Sequence, residues 1–131
     1  MIALDTNVLV RFLVEDDKQQ SARAARIIQG ATERDEALFV SDIVLCELVW
    51  VLSTSYQTAR AEIAATLERL VQAKQLAFTD AERVRRAADA YATGRGDFAG
   101  YLIREHARDA GCTAVVTFDR ALLKDKLFAA P

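Results

Sequence analysis

The chain of 131 residues contains one proline, and it stands at the last position, Pro131. No helix is broken from within, and 24 alanines favour helices that run uninterrupted between short strands. Two cysteines, Cys46 and Cys112, have neither a CxxC spacing nor a histidine nearby in sequence, which argues against a zinc site or a disulfide framework. A reducing, cytoplasmic setting is expected. The single histidine, His106, follows Leu102 by four residues and reads as a structural, hydrogen-bonded imidazole partly against the core, so Ser-His-Asp and Cys-His mechanisms have little support. Basic surplus is also absent: 17 Lys and Arg face 19 Asp and Glu, a net charge of −2, which argues against nucleic-acid binding by bulk electrostatics. Any polyanion must be gripped locally. With five glycines and neither GxxxxGK[ST] nor GxGxxG, a glycine loop for nucleotides is not indicated. The opening Met1-Ile2-Ala3-Leu4-Asp5 lacks a basic leader, and no exported or membrane-spanning segment is expected.

What is present is one domain's worth of chain, 1–131, with 52% hydrophobic and 27% charged residues. Ile2 to Leu4 reads as a short buried strand and about Asn7 to Val14 as a helix; Glu15-Asp16-Asp17 leads into a second helix ending near Gly30. Ala37 to Val40 is the next strand, and Ser41 or Asp42 caps an apolar helix running to about Thr54. A further helix covers Ala59 to Leu70, Leu76 to Phe78 is a strand, and Thr79 or Asp80 opens a helix that fades at Thr93-Gly94. After the Gly94-Arg95-Gly96 loop, Asp97 opens a helix to Ala110, closed by Gly111 in the left-handed region. Thr113 to Thr117 is the clearest strand, and Phe118-Asp119-Arg120 turns it into a final short helix. Strands alternating with helices predict an α/β fold with a mostly parallel sheet and helices on both faces.

Asp5 and Asp119 each follow a strand directly, and in a parallel sheet all strand C-termini lie along one edge. Asp97, from a glycine-flanked loop, can face the same edge. The plainer reading of each is helix capping. Glu47 shifts the balance, because it is the one charge in Ile43 to Leu52, a helix that reads as buried nearly all round. Its carboxylate belongs at a core boundary or in a cleft, or else in a buried ion pair with an arginine. If Asp5, Glu47, Asp97 and Asp119 converge, each pair ~5 Å apart repels by ~3 kcal/mol at an effective dielectric of ~20, so a cation is required. An all-oxygen donor set suits Mg²⁺ or Mn²⁺, the ions of phosphoryl chemistry. Trp50, Tyr56, Phe12 and Tyr101 read as core or interface residues rather than stacking platforms.

These residues carry a resemblance. Asp5-Thr6-Asn7-Val8-Leu9-Val10, Ser41 to Leu48, Gly96-Asp97-Phe98 with Tyr101-Leu102-Ile103, and Thr117-Phe118-Asp119-Arg120 resemble, in order and spacing, the PIN domain and more narrowly the VapC-type toxins of type II toxin–antitoxin pairs. The resemblance implies a three-layer αβα fold and an endoribonuclease that uses Mg²⁺ or Mn²⁺ held by Asp5, Glu47, Asp97 and Asp119. Thr6 or Asn7 and Thr117 would orient the acids, and the partners would be RNA, a cognate antitoxin and a second copy in a homodimer. Arg95, beside Asp97, and Arg120, beside Asp119, are the candidate phosphate contacts. One departure is Gly100, where many relatives have a further acid; as a helix-interior glycine it has no evident stabilising reason. That departure supports a second reading, a catalytically silent fold that binds RNA or protein. A phosphoaccepting receiver-like domain is disfavoured, since its paired acids after the first strand and its late lysine are missing.

Overall fold

A computed structural model describes residues 1–131. Strands β1 (Ile2–Ala3), β2 (Leu38–Phe39) and β3 (Leu76–Ala77) pair in that order, all parallel, with Ile2 opposite Leu38 and Leu38 opposite Leu76. Helices α1 (Thr6–Leu13) and α2 (Lys18–Glu33) connect the first pair, and α3 (Asp42–Thr54) and α4 (Arg60–Gln72) the second. Then follow α5 (Ala81–Thr93), α6 (Phe98–Asp109), β4 (Val115–Val116), a 3-10 turn at Leu122–Lys124 and β5 (Phe128–Ala129). The expected α/β class with a short parallel sheet among helices is the one adopted.

Caps explain where most helices begin. Asp5, Asp17, Ser41, Asp80 and Asp97 each accept a first-turn amide with a side-chain oxygen. Ser41, rather than Asp42, is the cap of α3. Helix α6 ends as expected: Gly111 has φ +85°, Cys112 N donates to Ala107 O and Gly111 N to Arg108 O, the paired bonds of a Schellman stop. The core gathers Leu9, Leu38, Val40, Leu45, Leu48, Ile63, Leu67, Val84, Phe98 and Tyr101, all essentially inaccessible. No helix is long and apolar enough to cross a membrane.

Several expectations fail, for identifiable reasons. The sheet is not continuous: β4 pairs only with β5, a strand that the sequence reading missed, and no ladder joins β4 to β1. Strand β1 is therefore exposed rather than buried, with Ile2 51% accessible, and so is β4, with Val116 at 64%. β5 escaped notice because its two residues follow a turn at Leu127, where a non-glycine residue takes φ +72°. Helix α3 is not buried all round; Val44, Leu45 and Leu48 face the core while Ile43 and Trp50 stand 74% and 65% exposed, with Glu47 on the same open face. An apolar composition could not reveal which face the neighbouring helices leave uncovered. His106 is exposed as well, though its Nε2 lies 2.6 Å from Asp42 Oδ2 and ties α6 to α3.

Candidate active site

A cleft of about 760 Å³ opens where the β1–α1 junction, α3, the start of α4 and the α5–α6 loop meet. Asp5, Glu47 and Asp97 line it, together with Thr6, Asn7, Cys46, Trp50, Arg60, Tyr91 and Arg95. Three acids separated by up to 92 positions are thus brought to one depression by the topology of the helices.

Each acid is held differently. Asp5 Oδ1 accepts the Thr6 amide at 2.8 Å, and Asp97 Oδ1 accepts the Gly100 amide at 2.9 Å. Capping and membership of the cleft are therefore compatible, because a cap uses one oxygen and leaves the other free. Glu47 Oε1 accepts the Thr6 hydroxyl at 2.9 Å, so the buried Thr6 joins the first and second acids through backbone and side chain. None of the three is in an ion pair with an arginine or lysine, and the alternative of a buried Glu47–arginine bridge is not realised.

The fourth acid lies elsewhere. Asp119 is exposed beyond β4, its Oδ1 accepting the Ala121 amide at 2.9 Å and its own amide donating to Thr117 Oγ1 at 3.0 Å. Asp119, Thr117 and Arg120 do not border the cleft, since β4 is not paired to β1. Nor do any three acids, cysteines or histidines stand close enough to form a ready metal shell, so the expected ~5 Å convergence of all four carboxylates is corrected to three acids around one cleft. The donors still fit a hard cation: carboxylate oxygens with open positions, no histidine in the lining, and one cysteine, Cys46, whose thiol burial and then the charges of Asp42 and Asp97 push up to about 11. With its pKa raised, that thiol is held in its protonated form at neutral pH.

Two further residues of the cleft are not among the sequence-predicted site residues. Arg60 reaches in from α4, its guanidinium 4.1 Å from the Tyr91 ring centroid, donating to the carbonyls of Tyr91 and Arg95. No local motif marks it, because its partners come from another helix. Trp50 was expected in a core or an interface but stands at the rim, one turn past Glu47; that spacing was available as a signal.

Gly100 now has a reason. A Cβ there would come within 2.6 Å of Leu122 Cδ1 and 2.8 Å of Asp97 Oδ1, so glycine lets the C-terminal turn pack on α6 and keeps the Asp97 cap intact. The 3-10 turn occupies the space into which a further acid would project.

The fold places acids from separate segments around one cleft, and the PIN domain family model matches residues 2–126, so the chain belongs to the PIN domain family. Over 125 residues, covering 95% of this chain and 91% of the relative, it is 29% identical to a VapC ribonuclease of Aquifex aeolicus (strain VF5).

Proposed function

We propose that the chain is a divalent-metal-dependent endoribonuclease and the toxin of a type II toxin–antitoxin pair. The observation that carries the reading is the set of three carboxylates, Asp5, Glu47 and Asp97, around one cleft without a cationic partner, in a chain similar to a VapC ribonuclease. Asp5, Glu47 and Asp97 would hold Mg²⁺ or Mn²⁺; Asp119, which does not line the cleft, is the fourth candidate. Bound there, the ion would neutralise the acids and polarise water and the scissile phosphodiester.

The chain's own groups supply the rest. Thr6 orients Glu47 through its hydroxyl and Asp5 through its amide, and Asn7 adds an amide side chain at the mouth. Arg60 and Arg95 place positive charge on the rim for phosphate oxygens, with Arg60 held in place by Tyr91. Trp50 offers a face for base stacking. Arg120, like Asp119, would act only from the β4 side. A cognate antitoxin and a second copy of the chain are the protein partners of this proposal, and the exposed Ile43 and Ile103, on helices linked by the Asp42–His106 bond, are apolar surface suited to such contacts.

The test is cleavage of single-stranded and structured RNAs with Mn²⁺. Wild type should cut; Asp5→Asn and Glu47→Gln should not; Thr6→Val, which keeps shape but removes the hydroxyl, should lower activity or metal affinity about 10- to 100-fold. Equal cleavage by Asp5→Asn would overturn the mechanism. A silent fold that only binds RNA or protein is the second reading, favoured by the position of Asp119 outside the cleft. Absence of cleavage by wild type alongside retained RNA binding would establish it.

A further inference from the structure

Resting on the ribonuclease reading, we propose that the substrate's sugar-phosphate backbone leaves the acid cleft over Asn7 and runs along a basic track on α2, made by Lys18, Arg23 and Arg26.

Continuity is the first argument. Asn7 borders both the acid cleft and a second groove of about 290 Å³ between α1 and α2, and Arg23 borders both that groove and a third depression of about 440 Å³ on α2. Each hollow thus shares one lining residue with the next. Neither of the two beyond the cleft has a carboxylate in its lining.

Charge is the second. Lys18, Arg23 and Arg26 are exposed and form no ion pair, whereas Arg11, at the edge of the same path, is committed to Asp16 and Gln20. On α2 the three cations are its first, sixth and ninth residues, and the one acid, Glu33, is its last. Of these only Lys18 lies in the first turn, where the helix dipole disfavours a cation. Lys18 and Arg26 are two turns apart, about 12 Å along the axis, which suits a chain of phosphates rather than a single ion. In a protein of net charge −2, such a track is how a polyanion could be drawn past three carboxylates.

The experiment measures binding of a labelled single-stranded RNA longer than ~16 nucleotides against salt concentration, without divalent metal, for wild type and Lys18→Gln/Arg23→Gln/Arg26→Gln. Each phosphate contact contributes about 0.7 to the slope of log affinity on log salt, so the triple variant should lose about 2. With Mn²⁺ its KM for that RNA should rise at constant kcat, while cleavage of an RNA too short to leave the cleft stays unchanged. The same exchange at Arg69 and Lys74, which border a different cavity, should leave the slope as it was. Glutamine suits an exposed helix as well as lysine does, so unchanged thermal unfolding would exclude misfolding. An unchanged slope with cleavage intact overturns the track and leaves the nuclease standing. A slope reduced by about 2 in a protein that cuts nothing upholds the track and removes the nuclease. Loss of poly-glutamate binding with RNA binding unaltered assigns the track to an acidic protein and overturns the proposal.

Discussion

Gly100 and Asp97 show how one residue can serve two demands. The Gly100 amide donates to the capping carboxylate of Asp97, while its missing side chain admits Leu122. Gly100→Asp should therefore not add a metal ligand; it should displace Leu122 and break the cap, destabilising the protein by on the order of 1–3 kcal/mol, with no gain in Mn²⁺-dependent cleavage. Chemical denaturation and the RNA assay together check this. Glu47 is a different case. Its singularity in an apolar stretch was legible and pointed to the cleft it borders, but the reason differs from the one expected: the carboxylate lies on the open face of α3, where Thr6 rather than desolvation governs its orientation.

At the scale of elements, α5 and α6 are joined by a charged lattice that no motif announced. The Glu105 side chain, 2% exposed, accepts from Arg86 Nε and Arg104 Nε at 2.9 Å each and lies 3.2 Å from Arg108 Nε, while Arg83 and Arg86 hold Asp109. Burial alone would raise the Glu105 pKa, but hydrogen bonds from Arg86 and Arg104 and the charges of Arg108 and Arg104 outweigh it and hold it below the ordinary 4.5; Asp109 is held below 3.8, chiefly by Arg83. Depressed folded-state values mean the unfolded chain takes up these protons first, so the contribution is complete above pH 4.5 and is lost as pH falls through the lower folded values. Glu105→Leu leaves the buried Arg104 without its partner and should cost about 3 kcal/mol at neutral pH. Urea unfolding as a function of pH should show a shallower acid decline in that variant.

At the scale of the whole molecule, the chain has two small parallel sheets with open edges. The amide of Leu4 points to β2 and those of Val115 and Thr117 to β5, so by the alternation of a strand Ala3 and Val116 direct their amides outward. With Ile2, Val116 and Phe118 exposed, β1 and β4 are apolar edges of the sort that parallel sheets normally cover. Adding Mn²⁺ should slow hydrogen exchange at Ala3 and Val116 together if Asp119 is a ligand, because its approach to Asp5 would bring the two edges into register. Fast exchange at both with metal bound would leave a site of three acids.

The elements were legible in the chain because caps, periodicity and Gly111 act within a few residues: Asp5, Ser41, Asp97 and the Schellman stop mark their helices without help from distant contacts. The acids Asp5, Glu47 and Asp97 were legible as unusual for the same local reason. Only the tertiary structure decided that α3 has an open face, that Arg60 and Trp50 join the cleft, that Leu122 takes the place beside Gly100, and that β4 pairs with β5 rather than β1. Those outcomes depend on which surfaces meet across tens of residues, and that choice is made by shape and solvent exclusion summed over the whole core, which no short window of sequence contains.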